Sequence, residues 1–151
     1  MNPNQKAFLD SIAWSEGTSL IPNSDNGYMV LVGSTPTHPL LFTSYADHPR
    51  ILNTALDSTA AGRYQLLGRY YDAYKLMLDL PDFSPDSQDT IALRQIFESG
   101  AADDVINGNF ITAMSKVAHI WASLPGATYG QHTNTIAALT EAYTAAGGTL
   151  A

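Results

Sequence analysis

The sequence lacks cysteine entirely, so no disulfide, thiol nucleophile or thiolate metal ligand is available to the protein. It is also poor in positive charge, since 7 Lys and Arg stand against 14 Asp and Glu and the net charge is −7. Nucleic acids are bound largely by Lys and Arg on phosphates, and anionic membranes by polybasic patches. This balance predicts no nucleic-acid partner, whereas an uncharged polymer is compatible with it.

Long apolar runs are missing as well. No stretch approaches the roughly 18 apolar residues that indicate a transmembrane helix. The first residues, MNPNQKAFLDSIAWSEG, lack the basic and apolar regions of a signal peptide. We therefore expect synthesis in the cytoplasm, with no signal peptide and no stable membrane insertion.

No repeat or low-complexity linker interrupts the 151 residues, of which 45% are hydrophobic and 14% charged. That length and composition are typical of one globular domain with a core of its own. We predict a single domain over residues 1–151.

The first predicted element is a helix. Ala7, Phe8, Ile12 and Ala13 are spaced as one helical face, with Asn2 or Asn4 as the cap and Gly17 as the stop. Glu16 then lies in the last turn, where the helix dipole favours cations rather than an acid. This position marks Glu16 as a candidate for a special role.

A small β element is predicted next. Residues 22–27 form a turn, and β-rich segments follow at Tyr28–Val32 and Leu40–Thr43, joined by a linker with two prolines. They predict an irregular hairpin or three-stranded sheet, and residues 46–59 are predicted to be a loop.

The rest of the chain predicts helices, with Ser84, Asn109 and Thr133 as N-caps of three of them. The predicted helices cover 62–79, 85–99, 101–106, 110–121 and 134–146. Strands segregated from helices indicate an α+β fold, with a small β lobe, a mainly helical lobe and a cleft between them.

Glu16 is the leading candidate for chemistry. The chain has three glutamates, and Glu98 and Glu141 are predicted to be solvated surface acids. A glycosidase needs an acid to protonate the leaving oxygen, with its pKa raised by apolar surroundings. The alternative is an exposed carboxylate at a helix end.

Two further segments are candidates for ligand binding. In STAAGRYQ (58–65), small residues precede a predicted helix start, and Gln65 offers both a donor and an acceptor; the alternative is a plain helix entry. In LPGATYGQ (124–131), Tyr129 could stack on a sugar face; the alternative is a connector between helices.

No motif indicates a metal site or a catalytic triad, although the composition alone leaves a Ser-His-Asp triad open. The four histidines show no metal-ligand spacing, and neither HExxH nor GxSxG occurs. Asp47 and His48 precede Pro49 and Arg50 in a segment best interpreted as a local turn. We predict no metal and no cofactor.

These clusters, in this order, resemble the lambda-type phage endolysins, a lytic transglycosylase family with a lysozyme-like fold. The resemblance spans nearly the whole chain. The matching stretches are QKAFLDSIAWSEGT, LFTSYADHPR, STAAGRYQLLGRYYDAY, LPDFSPDSQDTIAL, IWASLPGATYGQ and EAYTAAGGT.

The resemblance implies roles for particular residues. Glu16 aligns with the family's catalytic glutamate. The cleft-lining segments supply the implied substrate-binding residues, which are Ser58, Arg63, Tyr64, Gln65 and Tyr129.

The resemblance also implies a mechanism and partners. The family's glutamate protonates the glycosidic oxygen between N-acetylmuramic acid and N-acetylglucosamine. It then takes the proton of the muramic 6-hydroxyl, which gives a 1,6-anhydro product. The expected partners are peptidoglycan glycan strands, acted on by a monomer in the periplasm after holin-dependent release.

Two alternatives stay open. The first is a hydrolytic muramidase, which would use Glu16 together with Asp25 or Asp47. The second is a catalytically inactive domain that binds peptidoglycan or belongs to the virion. The chain departs from the family pattern in two ways: Met29 follows Tyr28 where the lambda relative has an aspartate, and the chain is acidic where that relative is basic.

Overall fold

The computed structural model describes residues 1–125 and 133–151. The chain divides into two compact units, here called unit 1 (Met1–Glu16 with Ala92–Ala151) and unit 2 (Gly17–Ile91). One boundary directly follows Glu16, and the other falls within a helix. The prediction of one domain over residues 1–151 stays a prediction, as does the cleft.

The described residues are mainly helical. Six α-helices and one 3-10 turn at Thr18–Leu20 are present, and no helix of the described residues is long and apolar enough to cross a bilayer. The helices are α1 (Pro3–Glu16), α2 (Gly68–Leu78), α3 (Pro85–Glu98), α4 (Ala102–Asn107), α5 (Phe110–Val117) and α6 (Ile136–Ala145).

Helix α1 begins and ends by local rules, as predicted. Asn2 is the N-cap: its Oδ1 accepts from the Gln5 amide at 2.8 Å, and Gln5 Oε1 accepts from the Asn2 amide at 2.8 Å. This reciprocal capping box, with Pro3 in the first helical position, satisfies donors that the first turn leaves open. Gly17 ends the helix with a φ of 82°.

Unit 1 is built around aromatic packing on α1. Phe8 meets Phe110 edge-on at 5.7 Å between ring centroids, and Phe110 stacks on Tyr143 at 4.3 Å. Asn4 donates to the Ile106 carbonyl and accepts from the Thr149 amide. The first helix and the last residues of the chain are therefore held in one core.

Two boundaries in unit 1 differ from those predicted. Helix α5 ends at Val117 rather than near Trp121. The N-cap of α6 is Thr135, whose side chain accepts from the Ala138 amide at 3.1 Å, so the prediction of Thr133 as the cap is wrong. Thr135 satisfies a first-turn donor that Thr133 is too far along the chain to reach.

The predicted β element is present in unit 2 as isolated bridges. Val30 pairs with Leu41 and Leu31 with Ala61, both antiparallel, and the described residues contain no longer strand. The turn before them holds Asn23, Asp25 and Asn26 at left-handed φ values of 52–57°. Left-handed residues leave the extended conformation that a strand requires, so the β pairings beside this turn stay limited to single bridges.

Helix α2 starts six residues later than predicted. Residues 62–67 form a tight turn closed by the bridge between Ala61 and Leu66, with Gly62 at a φ of 85° and Gln65 at 54°. Left-handed residues interrupt a right-handed helix, so the helical spacing of Tyr64 and Leu67 did not indicate a helix here.

The buried carboxamide of Gln88, on α3, holds this turn. Its Oε1 accepts from the Arg63 amide at 2.9 Å, and its Nε2 donates to the carbonyls of Tyr28 at 3.1 Å and Phe83 at 2.9 Å. Three hydrogen bonds fix one side chain that is 3% exposed, so Gln88 cannot shift without leaving buried groups unpaired.

We expect Gly62→Ala to lower the free energy of unfolding by on the order of 3 kcal/mol. A Cβ at Gly62 would collide with Gln88 Oε1 and lie 2.9 Å from Phe83 Cζ, in addition to the cost of a positive φ.

The matched control is Gly100→Ala, where φ is 73° and no heavy atom lies within 4 Å of the added Cβ. It should cost about 1–2 kcal/mol. Urea denaturation of both variants measures the difference, and equal losses would show that the Gln88 contact is unimportant.

Candidate active site

Glu16 is the last residue of α1 and is half-buried. Loss of hydration raises the pKa of its carboxyl above the usual 4.5, and a hydrogen bond from the Ser123 side chain opposes part of that rise. A carboxyl group with a raised pKa keeps its proton nearer to neutral pH. Glu16 therefore has the property that a general acid requires.

A polar cluster of three residues, Ser15, Ser123 and Asn134, lies beside Glu16 in unit 1, and Ser123 is its member that hydrogen-bonds the Glu16 carboxyl. The hydroxyl oxygens of Ser15 and Ser123 lie 2.8 Å apart. Asn134 Nδ2 lies 3.0 Å from Ser15 Oγ and 3.2 Å from the Ser15 carbonyl oxygen. The Asn134 amide also donates to the Ser123 carbonyl at 2.8 Å.

Sequence reasoning did not identify this cluster. Ser123 and Asn134 flank the predicted loop at 124–131; Ser123 lies in the stretch IWASLPGATYGQ that resembles the family, but neither residue was given a role. The one signal available was that both polar residues stand beside a segment already singled out for ligand binding.

Arg63 and Tyr64, predicted to bind substrate, lie inside unit 2. Arg63 is 4% exposed, and its Nε donates to the Asn26 carbonyl at 2.9 Å. Its guanidinium also lies over the rings of Tyr28 and Tyr64, at 5.3 and 5.6 Å from the ring centroids.

The two tyrosines beside Arg63 share an acceptor. The hydroxyl of Tyr64 donates to Asp89 Oδ1 at 2.6 Å, and that of Tyr28 donates to the same oxygen at 2.9 Å. Burial, followed by the charge of Asp89, raises the pKa of Tyr28 to about 12. These contacts hold the 58–65 segment in shape, and direct substrate contact by Arg63 or Tyr64 stays a prediction.

Gln65 and Ser58 are both half-buried. Gln65 adopts a left-handed φ of 54°, and its Nε2 donates to the Gly62 carbonyl at 2.9 Å. Backbone strain of this kind is enriched at functional sites. Ser58 Oγ accepts from the Ala60 amide at 3.1 Å. Their substrate-binding roles stay predictions, and Tyr129 lies outside the described residues.

The two aspartates of the hydrolase alternative have partners within unit 2. Asp25 Oδ2 accepts from the Tyr45 hydroxyl at 2.6 Å. Asp47 pairs with Arg50 at 3.3 Å, and hydrogen bonding to Arg50 lowers the pKa of its carboxyl. Both aspartates are exposed, whereas Glu16 is half-buried.

The described residues contain no group of three or more His, Asp or Glu side chains that could hold a metal ion. His48, which is 2% exposed, uses both ring nitrogens within the protein. Its Nδ1 accepts from the Arg50 amide at 3.0 Å, which leaves Nε2 as the donor to the Leu66 carbonyl at 2.8 Å. The burial of this neutral ring lowers its pKa.

The fold and the site define a lysozyme-like enzyme. The chain superposes on the structure of bacteriophage lambda lysozyme complexed with a chitohexasaccharide with a TM-score of 0.91 at 48% identity, covering 100% of this chain and 98% of that one. A second structure of lysozyme from bacteriophage lambda gives a TM-score of 0.88 at 47% identity, with the same coverage. The predicted lysozyme-like α+β fold is confirmed.

Sequence comparison defines the family. The model of the Endolysin family matches residues 6–150. The endolysin of Escherichia phage lambda is 48% identical, covering 99% of this chain and 95% of its own length. The endolysin of Escherichia phage P2 is 44% identical, covering 96% and 93%. The chain belongs to the endolysin family, and the predicted resemblance is confirmed.

We expect Glu16→Gln to stabilise the protein near neutral pH. The folded state raises the pKa of Glu16, so ionisation of this carboxyl above its unfolded pKa lowers the free energy of unfolding. Glutamine avoids this cost. The gain should be present at about pH 7.5, should shrink as the pH falls through the raised pKa of folded Glu16, and should be absent well below about 4.5, where both states are protonated.

Denaturant unfolding at several pH values measures this effect. The exposed Glu141 on α6 supplies the control, since Glu141→Gln should stay within about 0.5 kcal/mol of the parent protein at each pH. A Glu16→Gln protein that is less stable than its parent at neutral pH would contradict the expectation.

Proposed function

We propose that this endolysin is a lytic transglycosylase, which cleaves the β-1,4 bond between N-acetylmuramic acid and N-acetylglucosamine in peptidoglycan. The observation that carries the proposal is the carboxyl of Glu16, half-buried at the end of α1 with a raised pKa. Supporting it, the related lambda lysozyme has been solved with a chitohexasaccharide, which is a glycan ligand.

In the proposed mechanism Glu16 acts twice. Protonated Glu16 first donates its proton to the glycosidic oxygen, and the bond from the muramic C1 to that oxygen breaks. The muramic 6-hydroxyl then bonds to C1 while ionised Glu16 removes its proton. Glu16 ends protonated again, no water is consumed, and the product carries a 1,6-anhydro ring.

The aspartates favour this mechanism over hydrolysis. A hydrolase needs a second carboxylate about 5–5.5 Å from the acid as a nucleophile, or about 6.5–9.5 Å away as a base. Asp47 forms an ion pair with Arg50, and Asp25 accepts a hydrogen bond from the Tyr45 hydroxyl. An intramolecular hydroxyl needs no second carboxylate and gains from a high effective molarity.

We expect digestion of purified peptidoglycan in heavy-oxygen water to yield anhydro-muramic ends without the heavy isotope, as read by mass spectrometry. Asp25→Asn and Asp47→Asn should keep most of the activity. Glu16→Gln should lower the rate of peptidoglycan cleavage by about 10²–10⁴-fold, because an amide cannot act as a Brønsted acid.

Heavy oxygen at new reducing muramic ends would establish the hydrolytic alternative, and the aspartate whose variant is inactive would then be the second carboxylate. A Glu16→Gln protein that keeps more than about a tenth of the parent's rate would exclude Glu16 as the acid.

A further inference from the structure

In the polar cluster beside Glu16, the donor and the acceptor between Asn134 and Ser15 can be assigned from the atoms involved. The Ser15 main-chain carbonyl can only accept, so the Asn134 side-chain atom 3.2 Å from it must be the NH₂ group. That group also lies 3.0 Å from Ser15 Oγ. Ser15 Oγ is therefore an acceptor from Asn134, and its own proton points elsewhere.

Ser123 Oγ lies 2.8 Å from Ser15 Oγ, and by distance alone either hydroxyl can donate to the other. Ionised Glu16 can only accept, so the hydrogen bond between Ser123 and Glu16 uses the single hydroxyl proton of Ser123. Ser15 must then donate to Ser123, and with Glu16 ionised the order of donation is Asn134 to Ser15, Ser15 to Ser123, and Ser123 to Glu16. Each hydroxyl in the series accepts one bond and donates one, which strengthens its neighbours.

Burial and backbone contacts make this series rigid. Ser15 is 8% exposed and Ser123 is 7% exposed. Asn134 contacts both serines. Its side-chain NH₂ group donates to Ser15 Oγ, and its main-chain N–H donates to the Ser123 carbonyl at 2.8 Å. A side-chain donor held in this way costs little reorganisation when charge appears on Glu16.

We propose that Asn134, Ser15 and Ser123 form a one-way hydrogen-bond relay that positions the Glu16 carboxyl for both of its proton transfers. The inference rests on the proposed function for Glu16 as the acid and base. Because Ser123 donates to one carboxyl oxygen of ionised Glu16, the other oxygen is the one left to accept a proton from the substrate and to return it.

The relay makes Ser123 a positioning residue, since it acts through Glu16. Ser123→Ala should lower kcat on the order of tenfold, the worth of one hydrogen bond to a charged group, while KM changes by less than about twofold. The descending limb of the pH profile of kcat/KM should move to higher pH, because ionised Glu16 loses a donor that favours it.

A direct readout of Glu16 is available because the chain has three glutamates, Glu16, Glu98 and Glu141. Labelling with side-chain ¹³C-glutamate gives three carboxyl resonances, and Glu16→Gln assigns one of them by its loss. The Glu16 resonance should titrate at higher pH in Ser123→Ala than in the parent, and should move in the same direction by less in Ser15→Ala.

The chain supplies a matched control on the same helix. Ser11 lies one turn before Ser15, is 2% exposed, and donates to the Phe8 carbonyl at 2.7 Å, outside the relay. Ser11→Ala should leave the Glu16 titration and kcat unchanged, even where it lowers the melting temperature. Ser123→Thr keeps the hydroxyl and should restore both parent values.

The outcomes separate the two proposals. If Ser123→Ala titrates like Ser11→Ala, or if Ser15→Ala titrates like the parent, the relay is wrong while the assignment of Glu16 stands. If Glu16→Gln stays active, the proposed function fails, and the carboxyl titration still decides whether the relay exists.

Discussion

The termination of α1 at Glu16 is the constraint from which the candidate site follows. A helix leaves its last carbonyls without partners and its C-terminal end partly negative, which is an unfavourable place for a carboxylate. Gly17 turns the chain away, and Asn134 donates to the carbonyl of Ser15. The same side-chain NH₂ group donates to Ser15 Oγ, so one residue both caps the helix and begins the proposed relay to Glu16.

Unit 2 has few regular β pairings, so other contacts must hold its backbone in one conformation. Its turns depend on left-handed residues, among them Asn23, Asp57 and Gln65, and its pairings are single bridges. Buried polar side chains compensate for this. Gln88 makes three hydrogen bonds to main-chain atoms, and Arg63 donates to Asn26 while lying over two tyrosine rings. In this unit, shape depends on satisfied polar contacts as much as on apolar burial.

Local signals predicted α1 and α3 well, because capping residues act within a few positions of a helix end. Asn2, Pro3 and Gly17 set the first helix, and Ser84 accepts from the Ser87 amide at the start of α3. The start of α2 was missed because the contact that demands a turn at Gly62 comes from Gln88, far along the chain. Glu16 was identifiable as an acid at a helix end, but Ser123 and Asn134 were not, because they reach Ser15 across 108 and 119 positions.

The division of the chain between the units has a consequence for synthesis. Unit 2 is one continuous segment, whereas unit 1 joins residues 1–16 to residues 92–151. A ribosome therefore completes unit 2 while the first helix still lacks its core partners, Phe110 and Tyr143. Closing that long loop carries an entropic cost and makes unit 1 the later to form. Ser123 and Asn134 are synthesised long after Glu16 and after the whole of unit 2, so Glu16 acquires its chemical environment well after its own helix has been made.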